Sequence, residues 1–237
     1  MSTDTAPTPA TRLLVTGKTG CGKSSRVKEA LRGWLAKGVR VVAVDVCDEY
    51  SREGVAKHDL VQLGPLRRRV TAAELARNPR IINDARLSLA VVPQDNRPAS
   101  WARAFLLVER LVRASGKAVV VVDEVGTWTN AANGTDCHRA RAALEALATN
   151  GRKDGLALVV VGQRAAQIPP NIRSQATEWW AYVQDEALDV EALCERFGRE
   201  QAEAVSRLPR FEFIRWRDST HQPTQHKPPA LRAITGT

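Results

Sequence analysis

The sequence predicts an α/β fold, a mostly parallel, doubly wound sheet flanked by helices. Three observations predict it. Apolar runs of strand length recur at Val39–Val46, Ala118–Val122 and Leu156–Val161, the pattern of strands buried on both faces. Amphipathic stretches with apolar residues at i, i+3 and i+4 separate them. A glycine-rich segment joins the first strand to the first helix, the place where such folds bind phosphate.

In chain order, residues 1–10 are polar and Pro-containing and read as a disordered lead-in. An apolar strand, TRLLVT, then runs into Gly17-Lys18-Thr19-Gly20-Cys21-Gly22-Lys23-Ser24, which satisfies G-x-x-x-x-G-K-[ST], the phosphate loop of nucleoside triphosphatases. Gly17, Gly20 and Gly22 let the backbone bend so that its N–H groups surround phosphate oxygens. Lys23 supplies a point charge for the β- and γ-phosphates, and the Ser24 hydroxyl is a ligand for Mg²⁺. The nucleotide-binding set is therefore Gly17, Lys18, Thr19, Gly20, Cys21, Gly22, Lys23, Ser24 and Ser25, at the positive end of a helix dipole. That helix carries Val27, Ala30, Leu31, Trp34 and Leu35 on one face and ends at Gly38.

The Val39–Val46 strand ends in Asp45, Asp48, Glu49 and Tyr50. These acidic groups either line the rim of the site or cap the turn that follows. Arg67–Arg69 reads as a solvated loop or a phosphate-contacting patch. Thr71 caps a short helix to Asn78, and Leu87–Val92 is a strand. Ser100 is the expected cap of a strong helix whose stripe is Trp101, Ala104, Phe105, Val108, Leu111 and Val112, closed by Gly116. After the Ala118–Val122 strand come a polar loop, Thr127–Asp136, and a helix around Cys137–Ala148. Strands follow at Leu156–Val161, Thr177–Val183 and Phe211–Trp216. Between the last two lie a helix capped by Asp189, with Val190, Leu193, Cys194 and Phe197 on one face, and a shorter one at Glu200–Ser206. The domain boundaries expected are 11–218 for the catalytic domain and 219–237 for an extended tail with Pro223, Pro228 and Pro229.

VVVVDE at Val119–Glu124 is the expected partner of the phosphate loop. Its strand delivers Asp123 to the metal's surroundings, as a Walker B carboxylate does. Glu124 beside it polarises the water that attacks the γ-phosphate. Such a pair fits ATPases that do mechanical work better than small-molecule kinases, whose acceptor is not water. Asp123-Glu124-Val125-Gly126 also spells the GTPase-like D-x-x-G, but no N-K-x-D follows at a suitable spacing, which argues against a GTPase. Gln163 stands near the γ-phosphate if its strand neighbours that of Asp123. In a ring assembly Arg152 reaches a neighbour's nucleotide as an arginine finger, with Lys153, Arg164 and Arg173 as rivals. The expected class is a RecA/ASCE-like P-loop NTPase with catalytic Glu124, Lys23, Gln163 and Arg152, metal-binding Ser24 and Asp123, and ATP with Mg²⁺ as cofactors.

Composition adds bounds. The 237 residues carry a net charge of +9 and a pI near 9.9, which favours a polyanionic partner. No apolar run is long enough to span a bilayer, and the N-terminus does not resemble a secretory signal. Cys21, Cys47, Cys137 and Cys194 form no C-x-x-C pair, which argues against zinc and redox motifs, and free thiols in a cytosolic compartment are expected.

GKTGCGKS at Gly17–Ser24, VVVVDE at Val119–Glu124, GRKDGLALVVVGQR at Gly151–Arg164 and the continuation IPPNIRSQATEWWAYV at Ile168–Val183 together resemble the FtsK–HerA superfamily of DNA-pumping ATPases. The first two motifs are generic; the stretch from Arg152 to Gln175 is more specific. The resemblance covers most of residues 11–200. It implies an ATP-driven translocase on double-stranded DNA, a homo-oligomeric ring of five or six subunits, Glu124 as catalytic base, Gln163 as sensor and Arg152 as finger. The short lead-in and lack of a membrane segment make the chain most similar to the genome-packaging ATPases of tailless, membrane-containing icosahedral viruses. Capsid vertex proteins are then expected partners, and the location is cytoplasmic or procapsid-associated. A cellular or plasmid translocase of the same superfamily and a P-loop kinase are the alternatives.

Overall fold

A computed structural model describes residues 6–51, 65–66, 68–84, 87–219 and 223–227. The elements in order are β1 (Arg12–Thr16), α1 (Lys23–Ala36), β2 (Val41–Val44), β3 (Arg68–Thr71), α2 (Ala72–Arg77), α3 (Arg80–Asn83), β4 (Leu89–Val92) and α4 (Pro98–Ser115). Then come β5 (Ala118–Val122), α5 (Val125–Trp128), α6 (Thr135–Asn150), β6 (Leu156–Gly162), α7 (Pro170–Ser174) and β7 (Glu178–Tyr182). The chain continues through α8 (Ala187–Phe197), α9 (Arg199–Val205), β8 (Phe213–Arg217) and β9 (Thr224–His226).

Among the described residues, nine strands form one sheet in the order β3-β4-β2-β5-β6-β1-β7-β8-β9. From β3 to β7 every pairing is parallel; β8 and β9 add antiparallel strands at one edge. Alternating side chains feed two cores. One face presents Leu14, Val42, Val120, Val122, Leu158 and Val160 to Phe105, Val108, Trp128 and Leu144 of α4, α5 and α6. The other presents Leu13, Val15, Val41, Val121 and Val159 to Val27, Leu31 and Trp34 of α1. This is the expected doubly wound architecture, and it sends the carboxyl ends of β2, β5, β6, β1 and β7 to one edge.

Several elements differ locally from expectation. Helix α4 begins at Pro98, which suits a first helical position, so Ser100 lies buried in the first turn rather than capping it. Its hydroxyl instead accepts from the Asp95 amide at 3.3 Å. Helix α8 begins at Ala187, two residues before Asp189. The buried Asp189 carboxylate takes the Ala166 amide at 2.9 Å and Arg164 Nε at 3.0 Å, tying α8 to the turn after β6. The basic run is not a loop: Arg68 and Arg69 belong to edge strand β3, and Arg67 lies outside the described residues. The 127–136 segment contains the end of α5 and a 3-10 turn at Ala131–Asn133. The last major strand starts at Phe213, because Phe211 turns with a left-handed φ of 71°. Thr71 does cap α2, as a capping box with Glu74.

Candidate active site

The loop after β1 is shaped by its glycines. Gly20 and Gly22 have φ of 75° and 100°, values that only glycine adopts without strain. Gly17 is needed for space: a Cβ there would stand 2.4 Å from Tyr182 Cβ on β7. The loop therefore nests against β7, and the Lys18 amide donates to the Val183 carbonyl at 3.1 Å. Helix α1 starts at Lys23 directly out of this turn, so its first amides face the loop. Lys23 is buried, and its Nζ donates to the carbonyls of Gly17 (2.6 Å) and Lys18 (2.9 Å). The charge is thus held under the loop by two of three ammonium hydrogens. Lys18 pairs on the surface with Asp185 at 2.5 Å. Ser24 is half-buried, Ser25 and Thr19 are exposed, and Cys21 is buried in the loop. Burial raises the Cys21 thiol pKa, although nearby Lys23 acts the other way.

Asp123 and Glu124 follow β5. Asp123 is buried; desolvation first, then the neighbouring Glu124 and Asp45, push its pKa well above the usual carboxylate range. Its Oδ1 accepts the Glu124 amide at 2.9 Å, and its carbonyl accepts Trp128 Nε1 at 2.9 Å. Glu124 sits in a left-handed conformation, φ 50° and ψ 38°. That is rare for a non-glycine residue and characteristic of functional sites. Gln163 follows β6, which lies between β5 and β1. Its Nε2 reaches both Glu124 carboxylate oxygens at 3.1 Å. The condition placed on Gln163 by the sequence, that its strand neighbour that of Asp123, is met.

Asp45 extends the acidic edge. The register pairs Val44 with Val122, so Asp45 and Asp123 follow at the same level. Burial raises the Asp45 pKa to about 6, against the pull of the Glu49 and Tyr50 amides that it accepts at 2.9 and 2.8 Å. Asp45 therefore does both things left open by the sequence: it caps its turn and stands at the rim. Gly126 has a packing role, since a Cβ there would fall 2.6 Å from Gln167 Oε1.

The structure brings together residues 17–25, Asp123, Glu124 and Gln163 on the carboxyl edge. It does not bring Arg152 to them. Arg152 is exposed in the turn before β6, at the amino edge, close enough to Arg12 at the start of β1 to lower that guanidinium's pKa after burial has done so. The seven residues of β6 separate the two edges by roughly 20 Å. Two rivals are engaged internally. Arg164 pairs with Asp189 (3.0 Å) and Glu186 (3.5 Å), and buried Arg173 pairs with Glu195 (2.6 Å) and the Ile168 carbonyl (2.8 Å). Among the described residues Arg152 and Lys153 make no ion pair. Arg69 is held by Asp48 at 2.9 Å.

Two neighbours of the loop escape sequence reasoning. Buried Gln184 donates to Thr16 Oγ1 (2.9 Å) and accepts the Ala165 amide (2.7 Å), joining the ends of β1, β6 and β7. A polar amide directly after a buried strand was its only signal. Arg210 Nε donates to the Gly20 carbonyl at 2.9 Å across 190 residues, and no local pattern announces it.

A phosphate loop after β1, a carboxylate pair after β5 and Gln163 at the end of the buried apolar strand β6 between them fit the fold of a P-loop NTPase. Solved structures carry the comparison further. The genome packaging NTPase B204 of Sulfolobus turreted icosahedral virus 2, solved with AMPPCP, superposes with a TM-score of 0.64 at 17% identity over 93% of this chain and 98% of its own. B204, the DNA-packaging ATPase of Sulfolobus turreted icosahedral virus, gives 0.63 at 18% over the same shares. VirB4 of Thermoanaerobacter pseudethanolicus gives 0.64 at 14%, over 93% and 90%. The likeness is one of fold. No protein-family model matches the chain, and no curated protein does.

Proposed function

We propose that the chain is a DNA-packaging motor ATPase that hydrolyses ATP to drive double-stranded DNA into a preformed capsid. The observation that carries this reading is the Glu124–Gln163 pair, a carboxylate oriented by an amide on the edge that bears the phosphate loop. A base so placed suits attack by water, which a motor needs and a kinase avoids.

The site fits Mg²⁺ with ATP. Ser24 and Asp123 offer the oxygen donors that Mg²⁺ prefers, and a divalent charge would favour the ionised form of Asp123 that burial first, then Glu124 and Asp45, disfavour. Held there by Ser24 and Asp123, Mg²⁺ would neutralise charge on the phosphates. Lys23 binds the same phosphates, Glu124 takes the proton of the attacking water, and Gln163 holds the carboxylate until then. Arg152 cannot serve its own site from the opposite edge, so its action is on the neighbour's nucleotide in a homo-oligomeric ring of five or six subunits. The segment 127–136, which leaves the sheet beside Glu124, is the candidate lever that touches DNA. The basic net charge supports a phosphate backbone as partner. The fold shared with B204 supports packaging into a capsid, with vertex proteins as docking partners. No helix among the described residues is long and apolar enough to cross a membrane.

ATPase rate with and without double-stranded DNA, at two salt concentrations, tests the reading. DNA is expected to stimulate turnover, the stimulation is expected to fall at high salt, and Lys23→Ala is expected to abolish it. Turnover indifferent to DNA but raised by a small acceptor would favour a kinase, and no turnover at all would sink the motor.

A further inference from the structure

Phe211 combines three properties that together draw attention to its ring. Its φ of 71° is a left-handed value that strains a bulky residue. Its side chain nonetheless stays in water, at 46% exposure. And it stands on the phosphate loop: a Cβ on Gly22 would lie 3.0 Å from Phe211 Cδ1. Neighbouring Arg210 fixes it there. The Arg210 guanidinium lies 4.7 Å from the Phe211 ring centroid, and its Nε donates to the Gly20 carbonyl at 2.9 Å. The turn is closed by the Glu212 amide on the Pro209 carbonyl at 3.2 Å and leads into β8, so the pair rests on the sheet.

A triphosphate seated on residues 17–25 projects its nucleoside away from the loop. The nucleobase needs a flat apolar surface there, and base–aromatic stacking is worth enough to matter. We propose that Phe211 stacks on the nucleobase of the bound nucleoside triphosphate and that Arg210 positions the ring by bridging it to the loop. The proposal rests on the nucleotide-site reading above and names the base end of that site. A stacking surface distinguishes bases by area rather than by their hydrogen-bonding edges, so purines bind more tightly than pyrimidines.

Calorimetric titration of ATP, CTP and inorganic tripolyphosphate, each with Mg²⁺, tests it in wild type, Phe211→Gly and Phe211→Tyr. Glycine keeps the left-handed turn without strain, and tyrosine keeps the ring. Phe211→Gly is expected to weaken ATP about ten- to hundredfold, to leave tripolyphosphate unchanged and to erase the preference of ATP over CTP. Phe211→Tyr is expected to restore all three values. An equal loss for ATP and tripolyphosphate would assign the ring to loop shape instead, and no loss for ATP would refute stacking; either result overturns the proposal. Wild type that binds neither ATP nor tripolyphosphate would overturn the nucleotide site itself, and the base platform with it.

Discussion

Glu124 combines a strained backbone with the catalytic role proposed for it. Its left-handed backbone aims the carboxylate at Gln163 rather than along the strand. Glu124→Gln is expected to lower turnover by about 10²–10⁴ while ATP affinity stays within about threefold, and Gln163→Ala to lower turnover about tenfold with affinity unchanged. Steady-state rates and equilibrium titration separate the two effects; unchanged turnover in Gln163→Ala would remove the amide from the mechanism. Asp45 makes a prediction of a different kind. Its folded pKa of about 6 lies above the ordinary 3.8, so the folded chain holds the proton more tightly than the unfolded one. Stability from this group is complete below about pH 4, is lost as pH rises through about 6, and changes no further above that. The loss is on the order of 2–3 kcal/mol. Asn imitates the protonated form, so urea unfolding of Asp45→Asn is expected to show the variant gaining on wild type by that amount between pH 4 and pH 7. A pH-independent difference would contradict the assignment.

At the scale of elements, capping chemistry was legible where nothing distant competed. Thr71 and Glu74 form a reciprocal box, with the Glu74 amide donating to Thr71 Oγ1 at 3.1 Å and the Thr71 amide to Glu74 Oε2 at 2.7 Å. Thr71→Ala is expected to cost about 1 kcal/mol, read as a lower thermal midpoint without loss of nucleotide binding. The Ser100 hydroxyl and the Asp189 carboxylate can also accept as helix caps but were recruited elsewhere: one by the Asp95 amide, the other by Arg164 and Ala166. Strand β3 was illegible because an edge strand tolerates charge, and Arg68-Arg69 looks the same in a solvated loop until Val70 and β4 are in place. Strand β9 was hidden similarly, since Thr224–His226 is polar and gains its order from β8.

For the whole molecule, the decisive fact is that Arg152 and the phosphate loop lie on opposite edges of one sheet. The finger role proposed for Arg152 would require a second copy facing the first, with the amino edge of one against the carboxyl edge of the next, a head-to-tail contact of the kind from which rings are built. Subunit mixing tests this. Lys23→Ala and Arg152→Ala are each expected to be inactive alone, with turnover about a thousandfold down. Mixed, they are expected to recover a measurable fraction of wild-type turnover, because some junctions join an intact loop to an intact arginine. No recovery would exclude Arg152 as a finger acting between subunits.

The sequence by itself determined the local chemistry: a strand, a glycine loop with Lys23 and Ser24, a helix behind it, and a second buried strand ending in two carboxylates. Periodicity, glycine conformation and capping act over a few residues, so they can be read along the chain. The tertiary structure alone decided the strand order. It inserted β6 between β5 and β1, which set Gln163 against Glu124, 39 residues away. It also brought Arg210 to Gly20, placed Phe211 beside Gly22, and put Arg152 on the far edge. Those choices depend on which apolar faces pack together across the whole sheet, and no local stretch of sequence contains that information.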